Sequence, residues 1–101
     1  MRKLDPQDLP GQLASVPAWQ HDAVRGAISR HFKFVDFAQA FAFMTELALV
    51  AERQDHHPEW RNVYNRVEIV LTTHDAGGLT RRDFDFARRA DAAMAHYPTA
   101  G

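Results

Sequence analysis

Three histidines of this chain, His56, His57 and His74, are the candidates for chemistry, and acidic residues stand close to them in the sequence. Of the 6 histidines, His56 and His57 directly follow Asp55, and His74 directly precedes Asp75. An imidazole has an unperturbed pKa of about 6.5, so it can accept and donate a proton near neutral pH. The cluster therefore predicts general acid–base chemistry, which typically contributes about two to four powers of ten in rate. The other histidines have no comparable constellation of histidines and acidic residues around them and are expected on the surface: His21, His31 and His96.

Each of these residues also has a purely structural interpretation. A His-His-Pro turn commonly has one exposed and one hydrogen-bonded histidine, and His74 alone could be a surface residue at the end of a strand. Glu52 suits a solvated position late in a helix, and Asp83 suits the start of a helix through the macrodipole. The chemical interpretation rests on these residues acting together.

A metal site and a nucleophilic site are both disfavoured. Neighbouring side chains on an extended segment point to opposite sides, so His56 and His57 are awkward joint ligands, and the His-Glu-x-x-His spacing is missing. The chain has no cysteine, which removes disulfides, thiolate nucleophiles and Cys-containing zinc patterns. It also lacks a Gly-x-Ser-x-Gly elbow and a Gly-rich phosphate loop. We expect no metal.

The first third of the chain predicts one helix and a hairpin. Residues 4–16 predict a short, irregular helix because prolines and a glycine interrupt them. Residues 19–34 predict a β-hairpin with a polar break at residues 20–22. Residues 24–34 alternate with a two-residue period, which indicates a strand with one buried face.

The longest apolar segment predicts the principal core helix. Asp36 is the candidate N-cap, since Gln39 stands three residues later in the position of a capping box. Pro58 requires the helix to end between Glu52 and His57. Apolar residues at three- and four-residue spacing predict one stripe packed on the sheet: Phe37, Ala40, Phe41, Met44, Leu47, Ala48 and Ala51.

The second half of the chain completes an α+β pattern. Residues 66–73 alternate like a half-buried strand, and His74 falls at its end. Thr80 predicts the start of the last helix, with Asp83 at its third position. Hairpin-like links between strands favour an antiparallel sheet with helices on one face. We expect a single domain over residues 1–101.

Composition limits the partners of this domain. The 12 basic and 13 acidic side chains leave a formal charge of -1, so we expect no direct binding to nucleic acid or to an anionic membrane. The charges of both signs in residues 81–91 indicate a solvated helix face. No segment is typical of a signal peptide or a membrane span. We expect a cytoplasmic protein.

The spacing of the site residues resembles that of the pterin-4a-carbinolamine dehydratase family. The family pattern is an acidic residue, three residues, His-His-Pro, five residues, an aromatic, nine residues, His or Trp, and a later Asp. The matching residues here are Glu52, His56, His57, Pro58, Tyr64, His74 and Asp83. The resemblance extends from Trp19 to Asp83. It implies an α-β-β-α-β-β-α order, with three helices on one face of a four-stranded antiparallel sheet. One short strand, near residues 60–64, is not visible in the periodicity.

The same resemblance implies the dehydration of 4a-hydroxytetrahydrobiopterin to quinonoid dihydrobiopterin, with no metal or organic cofactor. It implies that His56, His57 and His74 are catalytic, and that Glu52 and Asp83 are supporting carboxylates. The residues expected to line the pterin pocket are Asp55, His56, His57, Thr72, Thr73, His74 and Asp75.

The implied partners are a second copy of the chain, as a homodimer or homotetramer, and functionally an aromatic amino acid hydroxylase. One alternative is a protein-binding dimerisation module, or transcriptional coactivator, of the same fold. Another is a catalytically idle relative, which the complete set of histidines disfavours.

Overall fold

The computed structural model describes residues 2–98, which form three helices and a four-stranded sheet. The elements are α1 (Leu9–Ser15), β1 (Gln20–Asp22), β2 (Ala27–Lys33), α2 (Phe37–Gln54), β3 (Glu59–Val63), β4 (Arg66–Leu71) and α3 (Arg81–Met94), with a 3-10 turn at His74–Ala76. The sheet order is β1-β2-β4-β3, and each neighbouring pair is antiparallel. The α+β class and the α-β-β-α-β-β-α order are confirmed. Residues 1 and 99–101 of the expected domain lie outside the described residues.

The sheet has one buried face and one exposed face. Strands β2 and β4 pair in a register that puts their apolar residues on the same side. Because side chains alternate along a strand, the residues between them, such as His31 and Glu68, lie on the opposite face. The residues on the buried face belong to the hydrophobic core: Ile28, Phe32, Val67, Ile69 and Leu71.

Helix α2 begins where the sequence predicts but presents a different stripe to the sheet. The Asp36 side chain accepts a hydrogen bond from the Gln39 N–H at 2.9 Å, which confirms the N-cap. The predicted stripe is wrong in part, because Phe37 and Phe41 are 48% and 55% exposed. Apolar residues occur on several sides of α2, so their spacing alone could not fix the core-facing side. The buried residues of α2 are Ala40, Phe43, Leu47, Val50 and Ala51.

The first hairpin is confirmed, although its predicted break is wrong. Residues Gln20–Asp22 form strand β1, and the turn lies at residues 23–26. Gly26 allows this turn with a φ of 67°, in the left-handed region that favours glycine. Val24, which the alternation placed on the buried face, is fully exposed at the turn. Strand β1 is an edge strand whose residues are all exposed, so it has no alternating pattern to detect.

Helices α1 and α3 extend the layer on the apolar side of the sheet. Helix α1 has no fully buried residue, and its Leu9 and Leu13 are partly buried against the core. Helix α3 contributes buried residues of its own: Asp83, Phe84, Phe86, Ala87, Ala90 and Ala93. Within residues 2–98, the structure contains no helix with the length and apolar character needed to cross a membrane.

Candidate active site

The end of helix α2 separates the two adjacent histidines. Asp55 caps the helix with φ 52° and ψ 44°, in the left-handed region that Asp adopts more readily than most residues. The His56 N–H then donates to the Ala51 carbonyl at 3.1 Å, and Pro58 leads into the extended chain of β3. The side chain of His56 is only 8% exposed as a result, whereas that of His57 is 58% exposed.

The buried histidine is paired with a buried carboxylate. Nε2 of His56 lies 2.5 Å from Oδ1 of Asp83, and the Asp83 side chain has no exposed surface. The other carboxylate oxygen accepts hydrogen bonds from the Thr73 hydroxyl and the Thr80 N–H, both at 2.9 Å. Because Thr80 is the N-cap of α3, one carboxylate holds both the imidazole and the start of a helix. A buried network in which each member is hydrogen-bonded is rigid.

His57 is paired with a carboxylate at the surface. Its Nε2 lies 2.6 Å from Oε1 of Glu52, and 77% of the Glu52 side chain is exposed. Solvent screens such a pair, so it contributes little to stability. The carboxylate can nevertheless set the orientation of the ring and determine which nitrogen carries the proton.

His74 stands on the 3-10 turn that follows β4. Gly77 ends this turn with a φ of 78°, and its N–H donates to the His74 carbonyl at 2.9 Å. The imidazole is 79% exposed, and its Nε2 lies 3.3 Å from Oε2 of Glu59. The structure therefore gives His74 a carboxylate partner that the sequence analysis did not identify.

Glu59, the first residue of β3, is also bound by an arginine. Its Oε1 forms an ion pair with the Arg25 guanidinium. The hydrogen bond from Arg25 lowers the pKa of the Glu59 carboxyl below 4.5; partial burial opposes this shift, and His74 reinforces it. The sequence contains no signal for this pair, because the two residues are 34 positions apart and no spacing rule links them.

A cleft lies between the end of α2, the segment after β4 and the start of α3, and it brings the three imidazoles together. Its volume is about 280 Å³, and its walls are formed by Asp55, His56, His57, Thr72, Thr73, His74, Asp75 and Arg82. All of the residues expected to line a pocket are present in this set. The two carboxylates expected to support the site, Glu52 and Asp83, each contact one of its imidazoles.

Arg82 is the member of the cleft that the sequence analysis missed. The mixed charges of residues 81–91 indicated a solvated face, yet the second residue of α3 lines the cleft. Its Nη1 lies 3.5 Å from the Asp55 carbonyl oxygen. The adjacent Asp83 was the only available signal, since a residue next to a site carboxylate at a helix start can face the same site.

The histidine cleft is singled out by its chemistry and not by its size. Ligand pockets commonly measure about 300–1,000 Å³, and this cleft is near the lower limit. Hollows of about 540, 420 and 330 Å³ lie elsewhere on the described surface, but none of them is lined by both a histidine and a carboxylate. A hollow of about 270 Å³ is lined by one histidine and one carboxylate, His31 and Glu68. Among these hollows, three imidazoles line the histidine cleft alone, and proton transfer needs such groups more than it needs volume.

The geometry leaves the same ring nitrogen available on each imidazole. All three rings direct Nε2 at a carboxylate, so Nδ1 can meet a ligand. Within residues 2–98, Gln54 Oε1 is the only fully buried side-chain N or O atom without a hydrogen bond. The His56 ring is hydrogen-bonded through Nε2. Its Nδ1 is not among the fully buried, unbonded atoms and is therefore not sealed in the core. Over the same residues, no group of three or more His, Asp or Glu side chains could hold a metal ion. The arrangement is suited to moving protons.

The fold and the cleft define a class of small α+β proteins with carboxylate-paired histidines at one end of an antiparallel sheet. The family model described as pterin 4 alpha carbinolamine dehydratase matches residues 2–93. The chain therefore belongs to the pterin-4-alpha-carbinolamine dehydratase family.

Relatives that align over most of this chain carry the same family name, provisionally. One such protein, from Rhodopseudomonas palustris (strain BisB18), is 53% identical over 95 residues, which is 94% of each chain. Another from Rhizorhabdus wittichii is 60% identical over 80 residues, covering 79% of this chain and 82% of the relative.

Solved structures with this fold carry more than one description. The transcriptional coactivator/pterin dehydratase from Brucella melitensis is 44% identical, with a TM-score of 0.87 over 92% of this chain and 99% of its own. A pterin dehydratase-like protein described as a RuBisCO assembly factor in the alpha-carboxysome is 27% identical. Its TM-score is 0.67, over 80% of this chain and 93% of its own.

Proposed function

We propose that this protein is a dehydratase that converts 4a-hydroxytetrahydrobiopterin to quinonoid dihydrobiopterin and water. The observation that carries the proposal is the cleft in which three imidazoles, each paired with a carboxylate, lie together. Membership of the dehydratase family supports the same reaction. The substrate would come from an aromatic amino acid hydroxylase acting in the same cytoplasm.

The reaction needs one acid and one base. The acid protonates the hydroxyl oxygen on C4a, the C4a–O bond breaks, and water leaves. The lone pair of N5 forms the new N5–C4a double bond, and the base takes the proton from N5. Atoms and electrons balance without an oxidant, a metal or an organic cofactor, so one imidazole acting as the acid and one acting as the base suffice.

The proposed division of labour gives His57 the largest contribution. Its ring is more than half exposed, and Glu52 holds its Nε2, so Nδ1 can reach a bound ring. His56 and His74 would serve opposite faces of the pterin, and Asp83 would fix the orientation of the His56 ring. Residues proposed to contact the pterin are the other lining residues named from the resemblance: Asp55, Thr72, Thr73 and Asp75.

The experiment that tests this function follows the decay of the hydroxypterin directly. A hydroxylase generates the 4a-hydroxytetrahydropterin in place, and its ultraviolet absorbance is recorded with and without this protein. We expect the protein to accelerate the decay well beyond the spontaneous rate. An unchanged rate would contradict the proposal.

The division of labour is tested with single alanine variants at the three histidines and the two stereoisomers at C4a. We expect His57→Ala to slow both isomers, and His56→Ala and His74→Ala to slow different isomers more strongly. Equal losses in all three variants for both isomers would contradict the division while leaving the dehydratase function in place.

We further propose that the protein is a homodimer or homotetramer. Large apolar side chains that a second copy could cover are exposed on α2 and near β3: Phe37, Phe41, Leu49, Val63 and Tyr64. Strand β3 is also an edge of the sheet, and edge strands have unpaired backbone groups. Light scattering after size-exclusion chromatography tests this: a monomer for the wild type would contradict it, and we expect Phe41→Glu to shift the mass downwards.

A second candidate function is protein binding as a coactivator or assembly factor. The exposed apolar residues of α2 favour it, as do the descriptions of two structural relatives as a coactivator and as an assembly factor. Such binding would not need the cleft. A protein without dehydratase activity whose assembly state depends on Phe41 would favour this second function over the first.

A further inference from the structure

Glu59 joins two parts of the chain that the sequence keeps far apart. One carboxylate oxygen is bound by Arg25, from the turn between β1 and β2. The other lies 3.3 Å from Nε2 of His74, on the turn after β4. Glu59 thus lies between a cation and one of the three imidazoles of the cleft.

The arginine comes from a turn that is fixed at several points. The Arg25 N–H donates to the Asp22 side chain at 3.0 Å, and the Thr72 hydroxyl donates to the Gly26 carbonyl at 2.8 Å. A Cβ atom on Gly26 would approach Gly78 Cα to 3.1 Å, so this turn packs closely on the loop that carries His74. The start of the Arg25 side chain is therefore well defined.

The Arg25 and Glu59 side chains are 45% and 46% exposed, and both carboxylate oxygens of Glu59 have a partner. With Oε1 held by the guanidinium, the remaining oxygen faces Nε2 of His74 and accepts its N–H. A neutral histidine that donates from Nε2 presents an unprotonated Nδ1 to its surroundings, and a protonated one presents an Nδ1 that can donate. Asp83 relates to His56 in the same way, since Thr73 and Thr80 hold one of its oxygens and the imidazole meets the other.

We propose that Arg25 and Glu59 are positioning residues that hold the His74 imidazole at the cleft with Nδ1 directed to the ligand. The inference deepens the proposed dehydratase function and rests on it for its effect on rate. Neither residue need touch the substrate, because both act through His74. The contacts bear only on His74, so its two neighbours in the cleft keep their own carboxylates.

The kinetic test compares single and combined variants. The substrate for this test is the C4a isomer that His74→Ala slows most. We expect Arg25→Gln and Glu59→Gln each to lower kcat for this isomer about two- to fivefold, because coupling energies in exposed ion pairs correspond to about that factor. Arg25→Lys should retain more activity than Arg25→Gln. In a His74→Ala background, neither glutamine substitution should cause a further loss. An equal further loss in that background would overturn the proposal.

A matched control is available on the exposed face of the same sheet. His31 and Glu68 also form an exposed histidine–carboxylate pair, 3.1 Å apart, but neither lines the cleft. Glu68→Gln should leave kcat unchanged for both isomers. A loss equal to that of Glu59→Gln would overturn the assignment, since it would show an effect of sheet charge in general.

A substrate-free measurement separates this inference from the proposed function. In side-chain NMR spectra, the ring signals of His74 should move in both Arg25→Gln and Glu59→Gln, while those of His57 stay in place. Unmoved His74 signals in both variants would overturn the positioning contact even in an active enzyme. Moved signals in a protein that does not accelerate dehydration would support the contact and contradict the dehydratase function.

Discussion

The buried end and the open rim of the cleft contain the same kind of pair, an imidazole with a carboxylate, in opposite surroundings. At the buried end, the His56 and Asp83 side chains are 8% and 0% exposed, and two threonines complete the network. At the open rim, His57 pairs with Glu52 and His74 with Glu59, with both rings more than half exposed. The chemistry of the pairs is alike, and their burial is not.

This difference teaches that burial decides what an imidazole–carboxylate pair contributes. Removing one partner of a buried pair leaves a desolvated group without compensation, which commonly costs about 3–5 kcal/mol. An exposed pair is worth about 0–1 kcal/mol, yet its ring can meet a ligand and exchange a proton. The buried end therefore links the site to the fold, and under the proposed function the rim is the part that would meet the substrate.

The largest expected effect is the loss of stability when the buried end loses its carboxylate. Asp83→Ala leaves His56, the Thr73 hydroxyl and the Thr80 N–H without their carboxylate, so we expect the free energy of unfolding to fall by about 3–5 kcal/mol. Urea unfolding measures this. Glu52→Ala is the rim control and should cost less than about 1 kcal/mol. Equal losses in the two variants would erase the distinction between the regions.

The next effect sharpens the comparison by separating rate from stability. His57→Ala removes an exposed ring, so we expect the free energy of unfolding to stay within about 0.5 kcal/mol of the wild type. We expect the dehydration rate to fall by about a hundredfold or more, as for loss of a general acid or base. Paired kinetic and urea measurements on one preparation check both. A large loss of stability with little loss of rate would reverse the roles given to the two regions.

The smallest effect concerns the pH dependence of the Glu59 contact. Because Arg25 lowers the pKa of this carboxyl below 4.5, the contact stabilises the fold fully above pH 4.5 and loses that contribution as the pH falls through the folded-state pKa. We expect Glu59→Gln to cost less than about 1 kcal/mol at neutral pH, with the difference shrinking in acid. Urea unfolding over a pH series measures it, and a difference that grows in acid would contradict this sign.

The sequence predicts much of the cleft because its key residues follow fixed gaps along the chain. Glu52, His56 and His57 lie around one helix end, and Pro58 determines where that helix must stop. The spacing to His74 and Asp83 is that of the family, which supplies the long-range arrangement that periodicity cannot. The strand at Glu59–Val63 likewise came from the resemblance and not from its own pattern.

The features that the sequence could not predict depend on tertiary contacts. The ion pair of Arg25 and Glu59 crosses from one hairpin to another strand, and neither residue type nor spacing indicates it. Phe37 and Phe41 are apolar yet exposed, because Phe43 and Val50 already occupy the core side of α2. Strand β1 has no buried residue, so alternation could not distinguish it from a turn.

The most direct test of the central claim is the rate of 4a-hydroxytetrahydropterin decay with a variant that lacks both rim imidazoles. We expect the wild type to accelerate the decay, the His57→Ala/His74→Ala double variant to return it to the spontaneous rate, and His31→Ala, which removes a histidine outside the cleft, to match the wild type. A double variant that remains folded and as fast as the wild type would contradict the account.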